Sequence, residues 1–439
     1  MDTTLRDARS VKAPARARPY AWYALGLMSV IYLLDAMDQS ILSAVAPSIQ
    51  SEFHLSDTQV GLTASAFVLV LAAATLPAGY LADRMSRNAI IGVGVALWSL
   101  ATLFSGLARS FPQLLASRAL LGIGESTYDP ASQSLIGDWF SKTARGRAVS
   151  VLRASFAIGT AIGFIVGGLV AMKFGWRYAF YVAAGPGLLF AVLAISMREP
   201  LRGAAEAHGP RLRSTRDAGL RSFLRLLKIR SLRASIAALT LGFVLQGGVL
   251  AFLPIYLHRQ LGVDLAAAGA VIGIPLLAGV LVGTPLGGWL VDWRARKTAR
   301  AHLEVFVAAT SIAAAAFLLA FVTRSLPIFV VGCSAGIFLL SMSSPALQAL
   351  NQNIVVPSLR GSAMAMALVS ATVLGQATGS LAFGIVSDWL HNLQLAFLVI
   401  GPTALALSAA FAAYGLPSVA LDVAAAEESW AQRGLEPVR

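Results

Sequence analysis

The chain has 439 residues, 57% of them hydrophobic and 13% charged, with a mean hydropathy of +0.72. A soluble globular domain is about 45–50% apolar, so this composition places the chain among polytopic membrane proteins. The net charge of +13 would point to nucleic acid in a soluble chain, but here Lys and Arg cluster in short segments between apolar runs, the pattern of membrane-protein loops, which excludes a nucleic-acid partner. The one cysteine, Cys333, rules out an intrachain disulfide.

In chain order, residues 1–19 form a basic tail carrying Arg6, Arg9, Lys12, Arg16 and Arg18. The apolar run that follows is too long for a secretory signal and no small-residue cleavage site ends it, so it reads as a retained first span. Stretches long enough to cross a roughly 30 Å hydrocarbon core fall at 21–49, 57–83, 88–108, 112–138, 147–171 and 178–197, then at 233–257, 264–291, 302–323, 326–353, 361–387 and 393–415. The pattern predicts an all-α membrane protein: twelve transmembrane helices in a bundle over 20–197 and a second over 233–416, with a linker over 198–232 and a tail over 417–439. Within the linker, "GLRSFLRLLKIR" (219–230) puts Leu220, Phe223, Leu224 and Leu227 on one helical face, as an amphipathic helix on the membrane surface would. Of the 34 Lys and Arg residues, 27 fall on the side of the two termini and five on the other. The positive-inside rule therefore predicts cytoplasmic termini, and the Ala- and Arg-rich composition with short loops points to a bacterial inner membrane.

The halves repeat. "GYLADRMSR" (79–87) matches "GWLVDWRAR" (288–296), and "RGRAVS" (145–150) matches "RGSAMA" (360–365); each of the latter precedes a GxxxG pair, Gly159/Gly163 and Gly375/Gly379. Such duplication builds two bundles that rock about a central site. The expected cytoplasmic gate comprises Gly79, Asp83, Arg84, Arg87 and Arg145 in the first half, with Asp292, Arg296 and Arg360 in the second. There, Asp83 and Asp292 would cap a helix of the partner bundle or bind a nearby arginine. Over residues 20–416 the chain resembles the major facilitator superfamily: "GYLADRMSR" is similar to its loop 2–3 signature, with Ser86 where glycine is usual, and "GWRYAF" (175–180) to its helix 5–6 junction. The resemblance implies two pseudo-symmetric six-helix bundles and a transporter.

Six charges lie deep inside predicted spans, away from their ends: Asp35, Asp38, Arg118, Glu125, Asp129 and Arg153, all in the first half. A charge at the bilayer centre costs about 2.5–3.5 kcal/mol on insertion scales, so these mark a pathway or a paired network. Burial favours a neutral carboxyl and a nearby guanidinium the ionised one, and bundle motion changes both, which makes Asp38, Glu125 and Arg118 a candidate proton switch. Asp35, Asp129 and Arg153 form a secondary charge network, with Asp129 and Arg153 approaching each other as a structural pair or a functional one. The stretches "IYLLDAMDQSILSAVAPSI" and "RALLGIGESTYDPASQSLIGDWF" resemble the Spinster branch, which carries an Asp-Arg pair in helix 1 and an arginine and Gly-Glu at this spacing in helix 4. The resemblance implies proton coupling at Asp38 and Glu125, charge pairing or solute contact at Arg118, and an amphipathic lipid solute such as a lysophospholipid or sphingolipid. Gln39 departs from the branch, which usually has arginine there.

The expected cavity lining is Gln39, Tyr128, Phe243, Gln246, Phe338, Gln348, Asn351, Gln352 and Gln376, with Phe67, Phe156, Phe252, Tyr256 and Met342 adding apolar surface. An apolar pocket with few polar groups suits an amphipath. The expected activity is proton-coupled transport of such a solute by alternating access; a proton symporter for small organic anions, with Arg118 as the anion clamp, is the alternative. The five histidines avoid mid-membrane positions and no nucleophile or P-loop motif occurs, so neither an enzyme nor a metal site is expected. The proton as coupling ion takes the place of a cofactor, and the partners are the solute and membrane lipids around a monomer.

Overall fold

The computed structural model describes residues 19–201, 226–356 and 359–431, and within them every regular element is helical. The first bundle holds α1 (Pro19–Phe53), α2 (Asp57–Arg84), α3 (Arg87–Leu107), α4 in two pieces (Phe111–Glu125 and Tyr128–Trp139), α5 (Lys142–Phe174) and α6 (Trp176–Ser196). The second holds α7 (Arg230–Leu261), α8 (Leu265–Ala295), α9 (Ala301–Val322), α10 (Leu326–Asn353), α11 (Arg360–Leu390) and α12 (Leu393–Gly415), followed by α13 (Val419–Ala431).

Among the described residues, eleven helices are long and apolar enough to span a membrane on their own. The twelfth crossing is α4, whose pieces of 15 and 12 residues are each too short alone. Pro130 explains the interruption: it has no N–H to give the Ser126 carbonyl one turn back, and its ring crowds that carbonyl. Chain direction is kept by Ser126 and Thr127, whose amides bond to the Gly122 and Gly124 carbonyls at 3.1 and 3.3 Å. The sequence reading took 112–138 as one helix, although Pro130 was the local signal for a break. Helices α8 and α11 each contain a π-helical turn, at Gly279–Gly283 and Ser370–Ala377.

The duplicated glycines do the same job in both bundles. Gly159 and Gly163 of α5 lie against the backbone of Leu33 and Met37 on α1, and Gly375 and Gly379 of α11 lie against Thr240 and Val244 on α7. A side chain at any of the four would strike its neighbour's backbone, so helix contact here requires glycine.

The bundles meet along α2 with α11 and α5 with α8. Gly61 packs on Ser380, Gly384 on Asp57, Gly168 on Leu265 and Gly269 on Phe164. The Ser65 hydroxyl donates to the Ala377 carbonyl at 2.6 Å, inside the π turn of α11. All these contacts fall in the half of the molecule nearer Asp57. Toward the Asp83 end, the second piece of α4 packs on α2, α3, α5 and α1 of its own bundle, and α10 packs on α7, α8, α9 and α11 of its own. The cavity thus opens at the Asp83 end.

Part of the expected tail is structured: Asp422 of α13 accepts from the Ser231 amide and hydroxyl at 3.0 and 2.6 Å, fastening α13 to the start of α7. Residues 1–18, 202–225 and 432–439 are outside the described residues, and with them most of the expected amphipathic helix at 219–230.

Candidate functional site

The break in α4 places Glu125 at the end of a helical piece, facing α1. Its Oε2 accepts from the Gln39 side-chain amide at 2.9 Å, and the same nitrogen donates to Asp35 Oδ1 at 3.2 Å. The Asp35 and Glu125 carboxyls also lie within hydrogen-bond reach of each other. Both residues are buried, and Glu125 Oε1 accepts no hydrogen bond from the described residues. Gln39 therefore joins two buried acids, a polar link that an uncharged amide makes without adding charge.

Asp38 belongs to a second, separate group. It accepts from the Thr102 hydroxyl of α3 and lies 3.6 Å from Arg118 Nη2. Arg118 itself donates to Ser105 Oγ (3.0 Å from Nη2, 3.3 Å from Nε) and stands 5.3 Å from the Phe180 ring centroid. It is 1% exposed, enclosed on the Asp57 side of Glu125. The expected trio of Asp38, Glu125 and Arg118 is thus divided, with Asp38 and Arg118 paired and Glu125 joined to Asp35. Asp35, placed by sequence in the network of Asp129 and Arg153, is the residue in contact with Glu125.

Asp129 and Arg153 do approach each other, at 3.6 Å between Asp129 Oδ2 and Arg153 Nη2, with side chains 46% and 53% exposed. Arg153 Nη1 also donates to the Tyr32 hydroxyl at 2.6 Å. Tyr32 stacks on Tyr128 with 5.1 Å between centroids and lies 4.8 Å from Phe156.

Of the expected lining, Gln246, Gln348 and Gln352 are exposed, and Gln376, Phe243 and Phe338 are partly so. Four assignments are corrected. Tyr128 is buried, its hydroxyl donating to the Met28 carbonyl at 2.5 Å, because the restart of α4 turns it into the bundle core. Asn351 is buried too, with an Oδ1 that accepts no hydrogen bond from the described residues. Phe252 and Tyr256 belong to the aromatic core of the second bundle, where Tyr256 packs on Phe321, Phe329 and Phe397. Phe338 lines an apolar crevice of about 470 Å³ between α8 and α10, with Pro275, Ala278, Ser334, Ala335 and Leu339.

The expected gate residues lie at the open end. Arg87 is fully buried and bonds Glu199 at 2.7 Å, the Ser134 hydroxyl and Pro200 carbonyl at 3.0 Å each, and Asp138. It is a pin within its own bundle, a correction to its assignment as a gate. Burial by itself would raise the Glu199 carboxyl, but the hydrogen bonds from Arg87 and Ser86 outweigh it and hold that carboxyl below its ordinary value. Gly79 faces Pro130, Arg84 stacks on Tyr80, Arg145 donates to the Gly137 carbonyl at 2.5 Å, and Arg360 donates to the Gln352 carbonyl at 2.9 Å. Asp83, Asp292 and Arg296 are exposed, and in the second half it is Arg294, not Arg296, that forms an ion pair, with Glu304 at 2.8 Å.

The closed end carries a gate that sequence reasoning missed. Arg259 of α7 reaches both oxygens of Asp57 at 3.0 and 2.9 Å, and Ser387 of α11 donates to Asp57 at 2.5 Å. In return, Asp388 of α11 accepts the amides of Asp57 and Thr58 at 3.0 and 2.8 Å, capping the start of α2 from the opposite bundle. The cap of a partner-bundle helix that sequence assigned to Asp83 and Asp292 is made here by a different acid, Asp388, at the opposite face.

Comparison with known proteins agrees with this architecture. Residues 28–303 match the model of the Major Facilitator Superfamily. The chain belongs to that superfamily. It is 30% identical over 388 residues to protein spinster homolog 1 of Xenopus laevis, covering 83% of this chain and 73% of that one, which places it in the Spinster branch. It is 28% identical over 421 residues to the sphingosine-1-phosphate transporter SPNS2 of Xenopus tropicalis, covering 89% and 80%. A bacterial homolog of the human lysosomal transporter Spinster, solved in an inward-facing, unoccupied conformation, shares the fold with a TM-score of 0.78 at 24% identity, over 93% of this chain and 98% of that one. This Spinster-like chain is a transporter rather than an enzyme, and an integral, multi-pass membrane protein.

Proposed function

We propose that the chain is a proton-coupled secondary transporter that moves an amphipathic, lipid-like solute by alternating access. The observation that carries the reading is the joined pair Glu125 and Asp35 at the interruption of α4. Discontinuous helices at mid-membrane are where transporters place coupling and solute sites. Two carboxyls in contact repel when both are ionised, and a proton on one lets it donate to the other. Protonation therefore holds α1 and α4 together, and loss of the proton drives them apart or draws in a cation. Asp38, already neutralised by Arg118 and Thr102, keeps its charge compensated while the pair at Glu125 cycles. With the Lys- and Arg-rich loops in the cytoplasm, the conformation described is closed outside by the Asp57, Arg259 and Asp388 gate and open inward.

The apolar crevice beside Phe338 and the neutral glutamines of the second bundle favour an amphipath, and the relative named for sphingosine-1-phosphate transport supports that class. The alternative in which Arg118 clamps a small organic anion needs Arg118 presented to the solute, whereas Arg118 is enclosed by Asp38, Ser105 and Phe180. The test is uptake into proteoliposomes with and without a pH gradient, offering lysophospholipids and small organic acids, in wild type and Glu125→Gln. Gradient-driven lysophospholipid movement lost in Glu125→Gln, with gradient-independent exchange retained, is the expected result. Gradient-driven uptake of the acids alone, or an unchanged gradient response in the variant, refutes the proposal.

A further inference from the structure

Asp38 and Arg118 are both buried, yet they stand at 3.6 Å, and Asp38 Oδ1 accepts no hydrogen bond from the described residues. Burial does not impose the gap, because Arg87, equally enclosed, closes on Glu199 to 2.7 Å. The cause lies on α3. Ser105 has acceptors for its one hydroxyl proton in the Ala101 carbonyl at 3.0 Å and Ser117 Oγ at 2.8 Å, which leaves its lone pairs to accept from Arg118 Nη2 and Nε. Thr102, three positions earlier, donates to Asp38 Oδ2. Each member of the ion pair is thus held by α3 rather than by the other. Helices α3 and α4 are locked together, because a side chain at Gly94 or Gly124 would strike the backbone of the facing helix. The other loose pair, Asp129 and Arg153 at 3.6 Å, also has a guanidinium donor taken by a hydroxyl, that of Tyr32.

We infer that Thr102 and Ser105 are positioning residues of the coupling site: Ser105 withholds Arg118 from full contact with Asp38, Thr102 supplies a hydrogen bond in its place, and together they set how readily Asp38 takes a proton. This rests on the proton-coupled reading and adds the residues that keep Asp38 out of the titration carried by Glu125 and Asp35. The charged groups facing Asp38 are Asp35 on its own helix and Arg118 and Glu125 on α4. From the other helices packed on α1, α3 presents hydroxyls, α6 places the Phe180 ring beside Arg118, and Arg153 of α5 and Arg259 of α7 are paired with Asp129 and Asp57. Asp35 and Glu125 oppose a charge on Asp38, so its ionised form depends on Thr102 and on a guanidinium kept short of contact. Thr102 has a single proton and a second acceptor, the Trp98 carbonyl at 3.0 Å. Facing a carboxylate it donates to Asp38; facing the acid it accepts from Asp38 and returns its proton to Trp98. The bond to the anion is the stronger of the two, so removing the hydroxyl favours the acid. Removing Ser105 does the reverse, because Arg118 Nη2 and Nε lose their acceptor and close on Asp38 Oδ1.

The test follows the carboxyl C=O stretching band of Asp38 by infrared difference spectroscopy of the purified protein in lipid as pH is varied, the band being assigned by its loss when Asp38→Asn is added. In Thr102→Val, which keeps the shape and removes the hydroxyl, the pH at which Asp38 gives up its proton should rise by about one unit or more, a tenfold change in proton affinity. Thr102→Ser should restore the wild-type behaviour, and Ser105→Ala added to Thr102→Val should lower the value again by a similar amount. A merely structural part for the two residues would change the unfolding temperature without moving the Asp38 band in opposite directions. An Asp38 band that is missing from Thr102→Val or titrates there as in wild type, or one that Ser105→Ala leaves in place or raises, overturns the positioning role. Glu125→Gln keeps the two readings apart. A titrating band that this variant removes supports proton coupling whatever Asp38 does, and the lack of any such band overturns the proton-coupled reading and with it the part given to Thr102 and Ser105.

Discussion

Removing one carboxylate from the closed gate should unlatch the bundles. Asp388→Ala removes an acceptor that holds the amides of Asp57 and Thr58 at 3.0 and 2.8 Å across the interface. A helix cap is worth about 0.5–2 kcal/mol, and the ionised acceptor here puts the value near the top of that range. A loss of about 2 kcal/mol changes the ratio of closed to open forms by about 30-fold. The readout is the reaction rate of a charged maleimide, added from the Asp57 side, with Ser43→Cys in a Cys333→Ala background; Ser43 lines a small apolar pocket beneath the gate. The rate should rise by up to about 30-fold in Asp388→Ala. Glu52→Gln provides the control, because its pairing with Arg177 at 2.7 Å lies on the same face but within one bundle. An unchanged rate in Asp388→Ala, or an equal rise in the control, refutes the gate.

Three further outcomes follow from the packing. Arg87→Met should leave Asp138 and Glu199 facing each other without their cation; the expected cost is about 3–5 kcal/mol, seen as a fall in thermal unfolding temperature, and a shift within error would contradict its role as a pin. Because the Glu199 carboxyl is held below its ordinary value, its stabilising contribution is complete above the ordinary carboxylate range and disappears as pH falls through the lowered value. Wild type and Glu199→Gln should therefore differ in unfolding temperature at neutral pH and converge as pH falls below that lowered value; a constant difference would show that the shift is not the cause. Gly163→Val should clash with the Met37 backbone on α1, costing about 1–3 kcal/mol, whereas Gly146→Ala, with open space around it, should stay close to wild type in the same unfolding assay.

The crossings, the repeat and the inventory of buried charges could all be read from the chain, because each depends on a local property. Apolar length is a sum over consecutive residues, and a glycine pair at fixed spacing announces a close helix contact wherever it falls. Even the interruption of α4 had its local mark in Pro130. Partner choice is a different matter. Asp35 and Asp38 sit three positions apart on α1, about 60° in helical angle, so a modest rotation of that helix decides which acid meets Glu125. Sequence favoured Asp38, while the packing of Gly159 and Gly163 on Leu33 and Met37 fixes the rotation that joins Asp35 to Glu125 and turns Asp38 to Thr102 and Arg118. The same holds for Arg87, whose spacing from Asp83 matches that of Arg296 from Asp292, although only Arg87 has acids brought to it by α4 and the end of α6. The gate joins Asp57, Arg259 and Asp388, residues hundreds of positions apart in the chain. No periodicity connects such residues; they meet because hydrophobic and glycine packing bring helix ends from two bundles together at one face, and electrostatics then acts between whichever groups that packing has placed within a few ångströms.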